Sequence, residues 1–385
     1  MKFLSVYLVV LGTIFSCETS QEKFSLLNVE KARILNKVED YSNLKPLTVT
    51  DSFCNRSAGT KHDFYSEGDY WWPNPDAKEG AYIRRDGLSN PDNFKHHRKA
   101  IIQLNHISGT LASSYIITKD KKHLKQLIPH LEAWFVNPET KMNPNLLYAQ
   151  AIKGKVTGRG IGIIDTVHLV EVALAIEVLA ESNILEQSRL QAIKQWFKEY
   201  LNWLTTHAFG ILERDNGNNH SVCWAVQVAA FARLVGDNRQ LNYCRKFYKT
   251  NLLPNQMAID GSFPKELSRT KPYGYSLFNL DAMSNVCQLL STKDDNLFDY
   301  KTDDGRSIQL GLQFLYPYIK DKSSWPYPKD VMYFKDWPVR QSALLFGGIH
   351  FKNNEYLNLW TNLDSKFKKE EIERNMPVKY PLLWY

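Results

Sequence analysis

Two polar stretches, each followed by an apolar run, hold the residues best suited to chemistry. The first, residues 215–221, contains one glycine and three asparagines and is typical of a turn. The apolar residues 222–233 favour a buried helix, so Asn219 and His220 are predicted to lie where a loop enters that helix. An amide and an imidazole would be held there beside a helix N-terminus, which favours anions. An ordinary asparagine N-cap with a bystander histidine would give the same pattern.

The second stretch, residues 260–276, puts Arg269, Tyr273 and Tyr275 in a loop punctuated by glycine and proline, before another apolar helix. An isolated tyrosine has a pKa of about 10 and is a poor base at neutral pH. A nearby guanidinium favours the phenolate, so Arg269 could prepare a tyrosine to accept a proton. We therefore predict that the two stretches meet in one site.

Together these motifs resemble the alginate lyase superfamily of helical polysaccharide lyases, most closely polysaccharide lyase family 38. The resemblance rests on Asn-Asn-His-Ser at a helix start, followed about fifty residues later by Arg-Thr and Tyr-x-Tyr-Ser. Upstream, residues 63–73, 82–87 and 157–162 fit the same superfamily. The resemblance covers roughly residues 45–350 and implies an (α/α) toroid with polysaccharide lyase activity.

The reaction implied is β-elimination in a uronic acid polymer. A base removes the proton on C5, the C4 oxygen leaves, and a C4–C5 double bond forms. The ionised carboxylate resists further negative charge, so donors must neutralise it. Asn219, His220 and a nearby acid held protonated, Glu213, fit that role, and Tyr275 would be base and acid with help from Arg269. Tyr273 is its rival, and only the family pattern favours Tyr275.

The polymer predicted first is alginate containing mannuronate, with glucuronan or another polyuronate as the alternative. In mannuronate the C5 proton and the C4 oxygen lie on the same face, so one tyrosine can serve both. In guluronate they lie on opposite faces, and His220 would have to act as the base.

Residues 50–95 are rich in glycine, proline, asparagine, aspartate and aromatic residues and show no helical period. A long irregular stretch in a compact protein is usually functional, so we expect this loop region to line the cleft. Arg159, between two glycines, could approach a ligand closely. The rings could equally pack the loop onto the helices, and the arginines could be solvated. The predicted substrate contacts are Tyr65, Trp71, Trp72, Arg84, Arg159 and Tyr273.

The rest of the chain is predicted to be all-α, as antiparallel helical hairpins. A first helix is expected within residues 26–41. The hairpins are expected at 92–118 with 121–136, 163–182 with 187–207, 220–235 with 238–253, and 276–292 with 305–320, and residues 339–350 are expected to begin a shorter last hairpin. The resemblance implies that they form an (α/α) toroid or incomplete barrel. We therefore interpret residues 17–385 as a single catalytic domain.

Residues 1–16 have one lysine, an apolar run and then a small residue, as in a secretory signal peptide. Cys17 follows directly and ends an imperfect bacterial lipobox, so we predict that it is lipidated; ordinary cleavage nearby is the alternative. The protein would then be exported, periplasmic or anchored to the outer membrane, and would meet the membrane only through the lipid.

The formal net charge of +7 suggests an acidic partner. Export and the lack of a known motif disfavour nucleic acid, so an anionic polysaccharide is the expected partner of a protein predicted to be a monomer. Cysteine and histidine show no zinc-ligand spacing, and neither a metal nor a cofactor is predicted.

Two other functional classes stay open at this stage. The first is a glycan-binding lipoprotein without catalysis. The second is a glycoside hydrolase, which needs two carboxylates about 5–9 Å apart. The carboxylates near the right loops are Glu213, Asp215, Asp260 and Glu266.

Overall fold

The computed structural model describes residues 24–77, 79–366, 369–376 and 378–385, so the predicted signal peptide and Cys17 lie outside the described residues. Helices dominate, as predicted. They are α1 Leu26–Leu35, α2 Val38–Ser42, α3 His96–Thr118, α4 Lys122–Phe135, α5 Leu169–Glu181, α6 Gln187–Thr206, α7 Ala208–Arg214, α8 Asn219–Val235, α9 Asn238–Phe247, α10 Leu253–Gln256, α11 Pro264–Leu267, α12 Pro272–Leu290, α13 Ile308–Lys320, α14 Ser342–His350, α15 Asn354–Asn362 and α16 Glu370–Arg374.

The long helices form an inner and an outer layer. In the inner layer α3, α5, α8, α12 and α14 pack one against the next. In the outer layer α4, α9, α13 and α15 each return along the inner helix before them, and α6 packs on α8. This arrangement confirms the predicted pairing of α3 with α4, α8 with α9 and α12 with α13, whereas α6, predicted to pair with α5, packs mainly on α8. The fold is an all-α, (α/α) toroid.

The inner helices are buried on nearly every side. In α12 only Gln288 among residues 272–290 is not buried, and α8 is buried at all but three positions. Both helices carry apolar residues on every face, which suits the interior, and the polar Asn279 and Asp281 of α12 find hydrogen-bond partners there.

A gap between α14 and α3 is filled by the C-terminal segment, residues 378–385. The Trp384 ring packs on Phe346 of α14 at 5.5 Å between centroids, and its indole donates to Glu171 of α5 at 3.2 Å. The Tyr380 ring lies against Gly109 of α3, where a Cβ atom would collide with it. The toroid is therefore incomplete, and its closing tail brings α16 towards one end of the inner helices.

The loop region before α3 lies over that end. It carries β1 Tyr65–Glu67, β2 Trp71–Trp72 and β3 Ile83–Arg84, and β4 Tyr148–Ala151 comes later. Strand β1 pairs in parallel with β4, and β2 pairs with β3 in antiparallel fashion, with Trp71 opposite Arg84. Strands this short give no readable alternation of polar and apolar residues, which is why the sequence predicted only loop.

Several predicted boundaries differ from the structure. The expected first helix is two short ones, α7 is additional, and residues 160–166 form a 3₁₀ helix before α5. Helix α12 begins at Pro272 rather than at residue 276, because proline suits a first helical turn. Asp330 also accepts the backbone N–H groups of Tyr273 and Gly274 at 2.8 and 2.9 Å. Tyr275 is therefore on the helix and not in the loop.

The described cysteines, Cys54, Cys223, Cys244 and Cys287, are free thiols and are buried. Within the described residues, no helix combines the length and the apolar character needed to cross a membrane.

Candidate active site

A cleft of about 350 Å³ opens between the loop region and the N-terminal ends of α8 and α12. Predicted residues from five separate parts of the chain meet in its walls. Those that line it are Trp71, Arg84, Arg159, Asn219, His220, Arg269 and Tyr275.

His220 lies in the first turn of α8, where Asn218 caps the helix by accepting the His220 N–H at 3.0 Å. Its Nδ1 atom lies 2.8 Å from Oε1 of Glu213, which is fully buried. Burial raises the pKa of Glu213. Burial alone would lower the pKa of His220, but the charge of Glu213 outweighs it and the pKa is raised. Glu213 therefore favours the protonated form of His220, whose side chain lines the cleft.

Asn219 is fixed by a second buried acid, Glu266 of α11. One carboxylate oxygen of Glu266 accepts the Asn219 backbone N–H at 2.9 Å, and the other accepts its side-chain amide at 2.8 Å. The amide nitrogen has a second hydrogen for a ligand in the cleft. Asn219 is thus a positioned donor, and not the N-cap, which is Asn218.

Tyr275 contacts the cleft from the first turn of α12 and is 9% exposed. Its hydroxyl lies 2.5 Å from the hydroxyl of Tyr70, which comes from the loop region. The Arg269 guanidinium carbon lies 4.7 Å from the centre of the Tyr275 ring. The predicted pairing of Arg269 with Tyr275 is therefore present, with Tyr70 as an additional partner.

Two opposing effects act on the pKa of the Tyr275 phenol. Burial raises the pKa above its ordinary value, because the helix end and the loop exclude most water from the ring. Arg269 lowers the pKa, as predicted, but does not compensate for the burial.

Arg269 and Arg84 share one carboxylate. Oδ1 of Asp86 accepts from Arg84 at 2.5 Å and from Arg269 at 3.2 Å, and its Oδ2 accepts from Thr270 at 2.9 Å. The loop region is thereby joined to the segment that carries Arg269.

Arg159 has only neutral acceptors among its contacts. Its Nε donates to the Gln150 carbonyl at 3.0 Å and its Nη2 to the Gln150 side chain at 3.1 Å. The guanidinium also lies 6.0 Å from the centre of the Trp71 ring. A cation held by neutral groups keeps its charge for an anionic ligand.

The glycines beside Arg159 serve packing rather than ligand approach. A Cβ atom at Gly158 would lie 1.9 Å from the Leu147 carbonyl oxygen, and one at Gly160 would lie 2.8 Å from that of Phe209. The predicted reason for these glycines is therefore wrong, although Arg159 does line the cleft.

The structure corrects three predicted substrate contacts, which lie outside the cleft lining. Tyr65 is buried and donates to Glu67 at 3.2 Å. The Trp72 indole donates to the Leu88 carbonyl at 2.9 Å, away from the cleft side taken by Trp71. Tyr273 is fully buried and donates to the Tyr318 carbonyl at 2.9 Å. Each ring packs the protein together.

Glu213 is also placed differently from the prediction. It lies behind His220 and does not line the cleft, so its contact is with the imidazole and not with a substrate carboxylate. Sequence reasoning missed Tyr70 and Asp86, and considered Glu266 only as a hydrolase carboxylate. Tyr70 lies within residues 63–73 of the resemblance, which was the one signal that could have identified it.

The carboxylates considered for a hydrolase do not form a pair in the cleft. Glu213 and Glu266 are buried behind His220 and Asn219. Asp215 pairs with Arg214 on the surface, and Asp260 accepts the Ser262 N–H. Within the described part of the chain, no three His, Cys, Asp or Glu side chains come together as metal ligands. The absence of a metal or cofactor stays a prediction.

Comparison with known proteins agrees with this geometry. The family model described as alginate lyase matches residues 49–325. A solved alginate lyase from Bacteroides ovatus is 29% identical, with a TM-score of 0.80 and 93% of each chain covered. No protein of curated function matches the chain.

Two more distant structures share the fold. A tetrasaccharide complex of alginate lyase A1-III is 15% identical, with a TM-score of 0.60 over 92% of this chain and 93% of that one. The A1-III enzyme from Sphingomonas species A1 is 16% identical, with a TM-score of 0.54 over 92% and 94%. The family match spans most of the chain, and the chain belongs to the alginate lyase family of polysaccharide lyases.

Proposed function

We propose that this lyase cleaves alginate within its mannuronate-containing regions by β-elimination. The observation that carries the proposal is the convergence of Asn219, His220 and Tyr275 on one cleft, with Arg159 as a cation beside them. The proteins similar in structure are alginate lyases, and one of them holds a tetrasaccharide.

The first task of the site is to neutralise the uronate carboxylate, so that the C5 proton becomes acidic enough to remove. The His220 imidazolium and the Asn219 amide are donors fixed before the substrate arrives. Preorganised donors of this kind strengthen as charge develops on the carboxylate in the transition state. We assign this role to Asn219 and His220, with Glu213 and Glu266 holding them in place.

The second task is proton transfer, which we assign to Tyr275. Its phenolate takes the C5 proton and its phenol then protonates the C4 oxygen as the C4–O4 bond breaks. The contacts with Tyr70 and Arg269 hold the hydroxyl in the cleft. Efficiency is best when the pKa of such a group approaches the working pH.

Mannuronate is favoured because His220 is better suited to donate than to accept a proton. Its pKa is raised by Glu213, and an imidazolium cannot act as the second base that guluronate requires. Tyr275 alone can serve when the C5 proton and the C4 oxygen lie on one face. Glucuronan and other polyuronates are the alternative substrates, and the assignment to family 38 stays a prediction.

The test is a digest of poly-mannuronate, poly-guluronate and glucuronan, followed by the ultraviolet absorbance of the new double bond. We expect the fastest rise on poly-mannuronate. His220→Ala should lower the cleavage rate of each polymer by a similar factor, because the uronate carboxylate must be neutralised in all of them. A selective loss on poly-guluronate would instead make His220 the opposite-face base and contradict our assignment.

We also propose that the enzyme is exported and held at a membrane surface by lipid on Cys17. The apolar leader that ends at this cysteine supports the proposal.

A further inference from the structure

Behind Tyr275 a line of contacts leads away from the cleft to a buried ion pair. The Tyr275 hydroxyl lies 2.5 Å from that of Tyr70. The Tyr70 hydroxyl accepts from Nζ of Lys271 at 3.4 Å, and the same ammonium lies 4.9 Å from the centre of the Tyr70 ring. Lys271 is 3% exposed and forms an ion pair with Glu371 of α16.

Lys271 is tied to Tyr275 through the backbone as well. It is the residue before α12, and its carbonyl accepts the Tyr275 N–H at 3.0 Å. The ammonium and the phenol therefore belong to one rigid turn, and Tyr70 lies between their side chains.

A buried lysine is costly unless paired, so its place here needs an explanation. Glu371 supplies the ion pair and is itself held by Ser89, which donates to its Oε2 at 2.9 Å. Neither contact requires the ammonium to touch a phenol. The contact with Tyr70 is therefore the one that points to a role in the site.

We propose that Lys271 is a positioning residue whose charge, acting through Tyr70, holds the Tyr70–Tyr275 pair in a form with one proton shared between two oxygens. The inference rests on the proposed function of Tyr275 as base and acid. In this form a phenolate oxygen faces the substrate, with Lys271 at the far end of the pair and Arg269 over the Tyr275 ring.

The elimination then balances around the pair. The C5–H bond breaks, its proton goes to the Tyr275 oxygen, and its electrons form the C4–C5 double bond. The C4–O4 bond breaks, the leaving oxygen takes the proton from Tyr275, and the pair returns to its anionic form.

The charged groups around the pair come from several elements. The cations Arg269 and Lys271 contact the phenols directly. Each acid has its own partner: Asp86 has Arg269, Glu371 has Lys271, and Asp69 has Arg374, while Asp330 is bonded to the start of α12. Burial raises the pKa of both phenols, and the Glu371 charge adds to the rise. Arg269 opposes the rise at Tyr275, and Arg374 opposes it at Tyr70. Burial lowers the pKa of Lys271, and the charge of Glu371 opposes that fall.

The experiment removes the ion pair as a unit, because Lys271→Met alone would leave Glu371 buried without its cation. In the double variant Lys271→Met with Glu371→Gln, the amide still accepts from Ser89 and no buried charge is orphaned. A matched control is Arg233→Met with Glu177→Gln, an ion pair between α8 and α5 away from the cleft.

The measurement is kcat/KM against pH, from the absorbance of the unsaturated product. The limb that rises with pH reports deprotonation of the base. It should move to higher pH in the double variant, because the lost Lys271 ammonium lies 3.4 Å from the Tyr70 hydroxyl. The shift should stay below about one unit, because the Glu371 charge lost with it raises the pKa of both phenols and so acts in the opposite direction. The control variant and the charge-preserving Lys271→Arg should keep the wild-type limb. A double variant that is slower at every pH with an unmoved limb would show a merely structural role and overturn the inference.

A second readout does not depend on activity. Titration of ring-labelled tyrosines by NMR, with signals assigned from Tyr70→Phe and Tyr275→Phe, should show the pair losing its first proton at lower pH in the wild type than in the double variant. Identical titrations would overturn the inference while leaving lyase action intact. If no polyuronate yields an unsaturated product, the proposed function fails, and the titration still decides the role of Lys271.

Discussion

The two walls of the cleft hold their side chains differently. The helical wall is formed by Asn219, His220 and Tyr275, and the loop wall by Trp71, Arg84 and Arg159. On the helical wall each residue lies in the first turn of a long inner helix. Asn219 and His220 are bonded to the buried acids Glu266 and Glu213, and Tyr275 is bonded to the half-buried Tyr70.

On the loop wall, Trp71 and Arg84 come from strands of two residues, and the Arg84 side chain is 56% exposed. Arg159 is hydrogen-bonded to Gln150 and lies against the Trp71 ring. Few contacts therefore fix the geometry of this wall.

The difference separates chemistry from binding. Stabilising a transition state requires donors that do not reorganise, and buried carboxylates behind helix starts provide this. A polymer must also enter, shift and leave, so a wall of adjustable cations and a ring suits binding that is equal in ground and transition states. Substitutions on the helical wall should therefore lower kcat, and those on the loop wall should raise KM.

The largest effect is expected for Tyr275→Phe, which keeps the ring and removes the titrating oxygen. Turnover should fall by about 10²–10⁴-fold, the usual contribution of general acid–base catalysis, while oligosaccharide binding persists. Steady-state kinetics and calorimetric titration would measure both.

The matched control for Tyr275→Phe is Tyr273→Phe, two residues away. Its hydroxyl donates to the Tyr318 carbonyl outside the cleft, so turnover should hold while stability falls by about 1–3 kcal/mol. If turnover fell in Tyr273→Phe and stayed normal in Tyr275→Phe, Tyr273 and not Tyr275 would be the base and acid.

A smaller effect, visible in the pH profile, is expected for Glu213→Gln. The carboxylate raises the pKa of His220, and the neutral amide would leave burial, which lowers it. If the imidazolium is required, the limb of kcat/KM that falls with rising pH should move to lower pH. Glu177→Gln, on the outer surface, is the control and should leave the profile unchanged. If the falling limb of kcat/KM stays at the same pH in Glu213→Gln, His220 is not the cation that neutralises the carboxylate.

On the loop wall, Arg159→Ala should raise KM by about tenfold with little change in kcat, because one charge-assisted contact is lost in ground and transition states alike. Binding should also weaken less steeply with salt, since screening acts over about 10 Å at 0.1 M ionic strength. Arg189→Ala, which removes an arginine paired with Glu132 far from the cleft, should match the wild type. A fall in kcat at constant KM would place Arg159 with the helical wall.

The smallest effect on catalysis is expected for Cys17→Ala. Losing the lipid should move the enzyme to the soluble fraction of cells without changing kcat or KM, because the described cleft is lined by residues between 69 and 375. Fractionation with an activity assay would measure this. A wild-type protein that is already soluble, with its N-terminus beyond Cys17, would contradict the lipid anchor.

Much of the helical wall could be predicted because its signals are local. The turn at residues 215–218 and the apolar run after it specify the start of α8, and Pro272 with its apolar run specifies α12. These signals depend on residues within a few positions of each other, so the sequence displays them. The N-terminal loop region was predicted as irregular cleft lining, but its pairing of β1 with β4 joins segments about eighty residues apart.

By itself the sequence determined most of the long helices, that Asn219 and His220 lie at a helix start, and which family chemistry the motifs imply. It could not decide which of two neighbouring rings faces the cleft. Tyr273 and Tyr275 lie about 200° apart on a helix, and Trp71 and Trp72 on opposite faces of a strand, so only one of each pair can line it. That choice, and the meeting of Tyr70 with Tyr275 across 205 residues, came from the packing of the inner helices, because contacts so distant along the chain leave no local pattern.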